Sequence, residues 1–254
     1  MATPLQIKSS PPAGTSDGTG PATERFLPEY DNQLSRFHGA FERELRAIVN
    51  ELPLSSEMRV LDLACGDGFY TQRIAERLGA GGFITGADIN LTYLFEARKE
   101  AFAQSGRASI DFVAASFDRL PFSDDTFDLV WCAQSLYTRP DPVVAIRHMA
   151  RVLRPGGLVA VLENDTLHQV FLPWPVSLEL PLRAAELRSF LDGCRNSSKY
   201  YVGRRLPAIL AAVGLEPLRM TTHAFDRQAP LGDAEEGLLM TWLNVLAFGR
   251  KRTV

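Results

Sequence analysis

The stretch Val60-Leu61-Asp62-Leu63-Ala64-Cys65-Gly66-Asp67-Gly68-Phe69-Tyr70-Thr71 constrains this chain more than any other part of it. An apolar run, Val60 to Leu63, ends in a turn of small residues, and Tyr70 to Leu78 then reads as a helix. A strand feeding a glycine turn feeding a helix aims backbone N–H groups and the positive helix end at one spot. Small anionic or polar ligand groups bind well there. Further on, a second apolar run, Phe83 to Ala87, ends in Asp88. An acid at the tip of the second strand is the usual grip on a ribose diol. Together the two features predict a nucleoside-like ligand.

The glycine spacing decides which one. A dinucleotide fingerprint needs small residues at the first, third and sixth positions of the turn, so that helix and pyrophosphate can approach. Counted from Ala64 the sixth residue is Phe69, and counted from Gly66 it is Thr71. A nicotinamide dehydrogenase is therefore disfavoured. The turn instead resembles the first motif of class I S-adenosylmethionine-dependent methyltransferases, usually hydrophobic-Asp-hydrophobic-Gly-Cys-Gly-x-Gly. Two later segments resemble the same family. Leu120-Pro121-Phe122 with Phe127-Asp128-Leu129 is similar to the segment before its fourth strand, and Arg151-Val152-Leu153-Arg154-Pro155-Gly156-Gly157 to the turn before its fifth. Both also make physical sense alone: the first packs a loop under the sheet edge, and Pro-Gly-Gly ends a helix.

The resemblance implies an α/β fold, a Rossmann-like, seven-stranded, mostly parallel sheet with helices on both faces and the last strand antiparallel. It implies S-adenosyl-L-methionine as cofactor and S-adenosyl-L-homocysteine as product. The pattern of elements agrees. Asp31–Leu52 reads as a leading helix. Arg59–Leu63, Phe83–Ala87, Ser109–Val113, Phe127–Cys132 and Leu158–Leu162 read as strands, alternating with helices Tyr70–Leu78, Leu91–Gln104 and Pro142–Leu153. Such alternation predicts a parallel sheet covered on both faces. Leu206–Val213 reads as a further helix, and Leu215–Phe225 and Leu239–Gly249 as the last two strands.

Residues 1–23 are rich in Pro, Ser, Thr and Gly without periodicity and are expected to be a disordered tail. Residues 24–254 are expected to form one methyltransferase domain: a helical cap (24–57), a cofactor-binding core (58–163), an insertion (164–202) and a closing helix with strands (203–254). The insertion is apolar and proline-broken at first (Val170 to Val176), then mixes Arg183, Arg188, Arg195 and Lys199 with Glu179, Glu186 and Asp192. Insertions after the fifth strand sit above the strand carboxyl ends, where ligands bind. It reads as a lid over the acceptor pocket, or as an interface or passive cover.

Hydrophobic content of 46% and charged content of 22% over 254 residues suit a globular domain with a substantial core. A net charge of −3, with no long lysine/arginine cluster, argues against a nucleic-acid surface. Cys65, Cys132 and Cys194 are far apart and form no metal-ligand spacing, which fits a reducing cytosol. No signal-type run begins the sequence and nothing is long enough to span a membrane. The expectation is a cytoplasmic enzyme with a small-molecule acceptor, no nucleic-acid partner, no membrane span and no metal.

Carried onto this sequence, the resemblance assigns Ala64, Cys65, Gly66 and Gly68 to the methionyl part of the cofactor. It places Asp62 under the turn, either near the cofactor's ammonium or as a brace. Asp88 would take the ribose hydroxyls and Ile89 would lie against adenine. Ser116 departs from the family, which usually carries Asp there for the adenine amino group, so backbone or Phe117 would take over. Cys132, Ala133 and Gln134 would offer backbone carbonyls, Cys132 itself being an apolar filler. A sulfonium is already an activated electrophile, so catalysis is mostly positioning. A base is needed only if the acceptor loses a proton. His168 leads the candidates, with Tyr137, Asp165, Glu163 and His38 behind it. His148 reads as surface and His223 as core or edge.

Trp174, Phe171 and Leu178 suggest an apolar or aromatic acceptor, and Arg183, Arg188, Arg204 and Arg205 could meet a carboxylate or phosphate. The family's base-amine enzymes often carry Asn/Asp-Pro-Pro-Tyr/Phe after the fourth strand. Here that place reads Ala133-Gln134-Ser135-Leu136-Tyr137, which argues against base methylation. The alternative reading is an S-adenosylmethionine-binding protein without methyl transfer, an adaptor or a repurposed lyase.

Overall fold

A computed structural model of the protein describes residues 28–102, 108–164, 175–193, 202–227 and 230–236. Two helices lead, α1 (Pro28–Ala40) and α2 (Glu42–Asn50). Then come β1 (Arg59–Leu63), α3 (Phe69–Arg77), β2 (Phe83–Asp88), α4 (Leu91–Phe102) and β3 (Ser109–Ala114). They are followed by β4 (Phe127–Ala133), a single 3₁₀ turn (Leu136–Thr138), α5 (Pro142–Val152) and β5 (Leu153–Leu162). The last two helices are α6 (Val176–Gly193) and α7 (Val202–Ala212).

The five described strands form one parallel sheet in the order β3-β2-β1-β4-β5. β1 is central and buried on both faces from Val60 onward, with Asp62 as its one buried acid. Alternate side chains go to opposite faces. Leu61, Leu63, Val130 and Cys132 pack with Ile146, Met149 and Ile209 from α5 and α7. Val60, Leu129 and Trp131 pack with Leu45 and Ile74 from α2 and α3. A smaller cluster of Cys65, Leu94, Ala97 and Phe112 lies under α4. The order of strands reverses between β1 and β4. The carboxyl ends of those two strands therefore open a crevice.

The later family-like segments prove to be one mechanical unit. Arg151 donates to the carbonyls of Leu120 (3.1 Å) and Phe122 (2.8 Å) and to Asp124 (2.7 Å), so the arginine of one segment clamps the Leu-Pro-Phe loop of the other. Asp128 accepts the Arg59 backbone N–H at 2.7 Å and pairs with Arg154 at 2.9 Å, tying the starts of β1 and β5. The helix α5 begins on Pro142 with Asp141 as its cap, accepting from the Val143 N–H at 2.9 Å.

Four expectations are corrected. The leading helix is two helices, because Phe41 leaves helical geometry (φ −119°, ψ 17°) while its ring packs on Phe37 and Phe225. β5 starts at Leu153, five residues earlier than Leu158, since Leu153 already pairs with Phe127 and the register then shifts at an irregularity. Leu215–Phe225 is not a strand: it is irregular, Leu218 and Met220 are exposed, and it is held by side chains instead. Arg219 pairs with Glu51, and just beyond the segment Arg227 pairs with Glu44, so this part of the chain straps the α1–α2 cap. The expected set of seven strands loses Leu215–Phe225 in this way, and five strands lie among the described residues. The expected strand Leu239–Gly249, the tail 1–23, Asp165, His168, Phe171 and Trp174 lie outside the described residues. No helix among the described residues is long and apolar enough to cross a membrane.

Candidate active site

The turn after β1 is built by three successive demands on the backbone. Ala64 and Cys65 both donate N–H groups to the Ala87 carbonyl, at 2.7 and 3.1 Å, which locks the end of β1 to the end of β2. Ala64, Gly66 and Gly68 then adopt left-handed φ values of 61°, 53° and 80°. That region suits glycine and strains alanine. Space is also limiting: a Cβ on Gly68 would lie 2.9 Å from the Ala97 Cβ of α4, and one on Gly66 would lie 3.0 Å from Leu34 of α1. Asp67 accepts the Phe69 N–H at 3.1 Å and so starts α3.

Asp88 is the second wall. One carboxylate oxygen accepts the Gly66 N–H at 3.0 Å and the other accepts the Asn90 N–H at 2.8 Å. Ile89 beside it is 65% exposed. Asp62, by contrast, is fully enclosed beneath the turn. Thr71 Oγ1 donates to it at 2.5 Å, and burial pushes its carboxyl up to about 7, with Asp88 and Asp67 adding to the rise. Of the two roles considered for Asp62, this geometry supplies the brace. The Cys65 and Cys132 thiols are buried and pushed well up, which makes both poor nucleophiles.

The third wall follows β4. Cys132 is buried, Ala133 ends the strand, and Gln134 takes a left-handed φ of 51° while its N–H donates to the Leu162 carbonyl at 2.6 Å. The Glu163 carboxylate then accepts three backbone N–H groups, from Ser135 (3.1 Å), Leu136 (2.6 Å) and Tyr137 (3.3 Å). Burial pushes its carboxyl up to about 7 against the opposing pull of those three N–H groups. Considered above only as a base, Glu163 caps the 3₁₀ turn and fixes the loop that carries Tyr137. At the far rim the Ser116 carbonyl accepts the Arg119 N–H at 3.1 Å, and Phe117 is buried with the Arg139 guanidinium 5.2 Å above its ring.

The structure thus brings Ala64, Cys65, Gly66, Gly68, Asp88, Ile89, Ala133 and Gln134 to the carboxyl ends of adjacent strands. It adds one residue the sequence had placed low. His38 of α1 reaches the turn, its Nδ1 3.1 Å from Asp67 and its ring stacked on Phe69. Only a lone histidine at helical spacing announced it. The residues present fit a ligand with a ribose and an aminoacyl tail: Asp88 is a carboxylate at the tip of β2, and the glycines leave bare backbone at the turn. Among the described residues no group of three or more His, Cys, Asp or Glu could hold a metal ion.

Comparison with known proteins identifies the family and the fold. Residues 54–199 match a family described as a methyltransferase domain. The chain is 39% identical over 119 residues to the ubiquinone/menaquinone biosynthesis C-methyltransferase UbiE of Idiomarina loihiensis, covering 45% of this chain and 47% of that protein. It is 34% identical over 124 residues to the methyltransferase GfsG of Streptomyces halstedii, covering 49% and 44%. The chain therefore spans about half the length of the curated relatives it matches. A crystal structure of a SAM-dependent methyltransferase from Aquifex aeolicus superposes with a TM-score of 0.56 at 18% identity, over 75% of this chain and 89% of that one, which bears on the fold. The chain belongs to the methyltransferase-domain family, on the Rossmann-like fold of class I S-adenosylmethionine-dependent methyltransferases.

Proposed function

We propose that the protein transfers a methyl group from S-adenosylmethionine to a small, apolar or aromatic acceptor. The observation that carries this reading is the Gly66–Asp88 hydrogen bond, which fixes a bare-backbone turn and a strand-tip carboxylate as one preformed wall. When bound, the cofactor supplies an activated methyl carbon on a sulfonium. The chain supplies the rest. Asp88 holds the ribose hydroxyls and the exposed Ile89 covers adenine. Gly66 and Gly68 admit the aminoacyl tail, and the carbonyls of Cys132, Ala133 and Gln134 face its ammonium. Ser116 and Phe117 close the adenine end. Glu163, by capping the 3₁₀ turn, holds Tyr137 at the acceptor side.

Residues 164–202 serve as the lid over the acceptor, with α6 as its described helix. An aromatic acceptor is supported by the apolar composition of that insertion and by relatives whose names specify ubiquinone and menaquinone biosynthesis. His168, in the same insertion, remains a proposed base. The catalytic logic is positioning and exclusion of water, where a small misplacement of the reacting atoms already lowers rate about a hundredfold.

Calorimetric titration with S-adenosylmethionine, followed by assay of S-adenosylhomocysteine release with a metabolite extract, tests the reading. Binding with release supports it. Binding without release under any acceptor mixture favours a non-transferring S-adenosylmethionine-binding protein, and absence of binding refutes the site.

A further inference from the structure

The loop after β4 and both ends of the insertion at residues 164–202 meet at one side chain. Glu163, the residue after β5, gathers the N–H groups of Ser135, Leu136 and Tyr137 on a single oxygen, Oε1, at 3.1, 2.6 and 3.3 Å. Its chain neighbours add two ties to the same loop. The Gln134 N–H donates to the Leu162 carbonyl at 2.6 Å, and Gln134 Nε2 donates to Asn164 Oδ1 at 3.2 Å. Asn164 begins the insertion. Val202 ends it, buried in the same apolar cluster as Leu136. The next residue, Gly203 of α7, lies over Glu163, where a Cβ on the glycine would stand 3.5 Å from the Glu163 Cβ.

A three-residue 3₁₀ turn needs no acid to form. Water can meet its free N–H groups, whereas withdrawing a carboxylate from water is costly. What the acid supplies is accuracy. Gln134 takes a left-handed φ of 51°, which a residue other than glycine keeps only where its surroundings over-determine it. Ala64 does the same after β1, at 61°. These two residues follow the two strands that flank the crevice. Beyond each, backbone N–H groups are held by an acid from the end of the neighbouring strand: Asp88 of β2 for Gly66, and Glu163 after β5 for Ser135 to Tyr137. Each wall of the crevice is thus set by its own carboxylate.

We propose that Glu163 is a positioning residue of methyl transfer, the joint that keeps the loop after β4 in register with both ends of the insertion. This rests on the methyltransferase reading above. In that reading Asp88 sets the wall that meets the cofactor, so its variants act on cofactor affinity. Glu163 sets the wall that carries Tyr137 and adjoins the insertion, so its variants act on rate. It works through the backbone of residues 135–137, and a displacement of the reacting atoms on the order of 1 Å slows transfer about a hundredfold.

Amide hydrogen exchange on the full chain, without ligand, tests the joint. Glu163→Ala should speed exchange at Ser135, Leu136 and Tyr137 by about tenfold. Glu163→Gln, which keeps an acceptor oxygen, should restore most of that protection. Transfer is followed as S-adenosylhomocysteine release from S-adenosylmethionine, with a metabolite extract as the acceptor source. In Glu163→Ala the rate at saturating S-adenosylmethionine should fall about a hundredfold, while its KM and the calorimetric affinity for S-adenosylhomocysteine stay within about twofold. Glu163→Gln should recover most of the rate. Should Glu163→Ala fail to fold, Glu163→Asp serves with the same expectations, since its carboxylate stops one methylene short of the turn. Unchanged exchange at residues 135–137 overturns the proposal and leaves the methyltransferase reading standing, and so does a loss confined to KM. Absence of release by the wild type overturns transfer itself and the role of Glu163 in it.

Discussion

The Asp88 carboxylate accepts the Gly66 backbone N–H at 3.0 Å, across the gap between the ends of β2 and β1. A single acid at the tip of β2 thereby shapes the turn after β1. Its two oxygens divide the work, since the other holds the Asn90 N–H and the start of α4.

Asp88→Ala should therefore weaken S-adenosylmethionine binding by about 1.5–3 kcal/mol, the scale of lost charged hydrogen bonds. Isothermal calorimetry on the folded variant checks this. Unchanged affinity would remove Asp88 from the ligand. Asp88→Asn keeps one carbonyl oxygen toward Gly66 and should fall between the two.

Gly66→Val should abolish cofactor binding in a protein that still folds. A branched residue is strained at a φ of 53°, and its Cβ would press on Leu34 at 3.0 Å. Pairing it with Leu34→Ala relieves the contact with α1 but not the strain. If the double variant binds normally, the lost affinity belonged to α1 rather than to the turn.

Much of this arrangement is legible in the sequence, for reasons that vary with the residue. Val60–Leu63 and Phe83–Ala87 are short, mostly apolar runs bounded by turn residues, the mark of a buried parallel strand, so β1 and β2 were found almost to the residue. Asp88 could be placed because it ends such a strand. His38 and Glu163 could not be given their partners, since Asp67 lies 29 positions from His38 and the N–H groups on Glu163 lie 26 to 28 positions away. Leu215–Phe225 misled because an extended apolar run does not say whether a neighbouring strand exists to pair with it.

Glu163→Gln isolates a pH effect on stability. Burial raises the Glu163 carboxyl to about 7 in the folded protein, above its ordinary value of 4.5, so the fold favours the protonated form. Its contribution is present in full below about pH 4.5 and is lost as pH rises through 7. Glutamine keeps an acceptor for the three N–H groups and cannot ionise. Urea denaturation between pH 5 and 8 should show the wild type losing stability with rising pH and the variant losing less, by about 1–2 kcal/mol at pH 8. Asp62, raised in the same direction, should leave the variant still losing some stability as pH rises.

Arg151→Ala should cost about 2 kcal/mol of stability, because two backbone carbonyls and Asp124 lose a charged donor together. Cofactor affinity should change less than threefold, since the clamp lies at the opposite end of β4 from the turn. A large loss of affinity with unchanged stability would show that the Leu-Pro-Phe loop reaches the ligand.

The strap over the α1–α2 cap joins Arg227 to Glu44 across 183 positions of sequence. Contacts so distant form late, after the loop between them has closed. On a ribosome the sheet has all five of its described strands by Leu162, yet the α1–α2 cap, whose Leu34 and His38 lean on the turn after β1, still waits for Arg219 and Arg227 to pair with Glu51 and Glu44. Binding competence should then trail sheet formation during synthesis. A nascent chain halted near Gly214 would be protease-resistant in its centre and blind to its methyl donor.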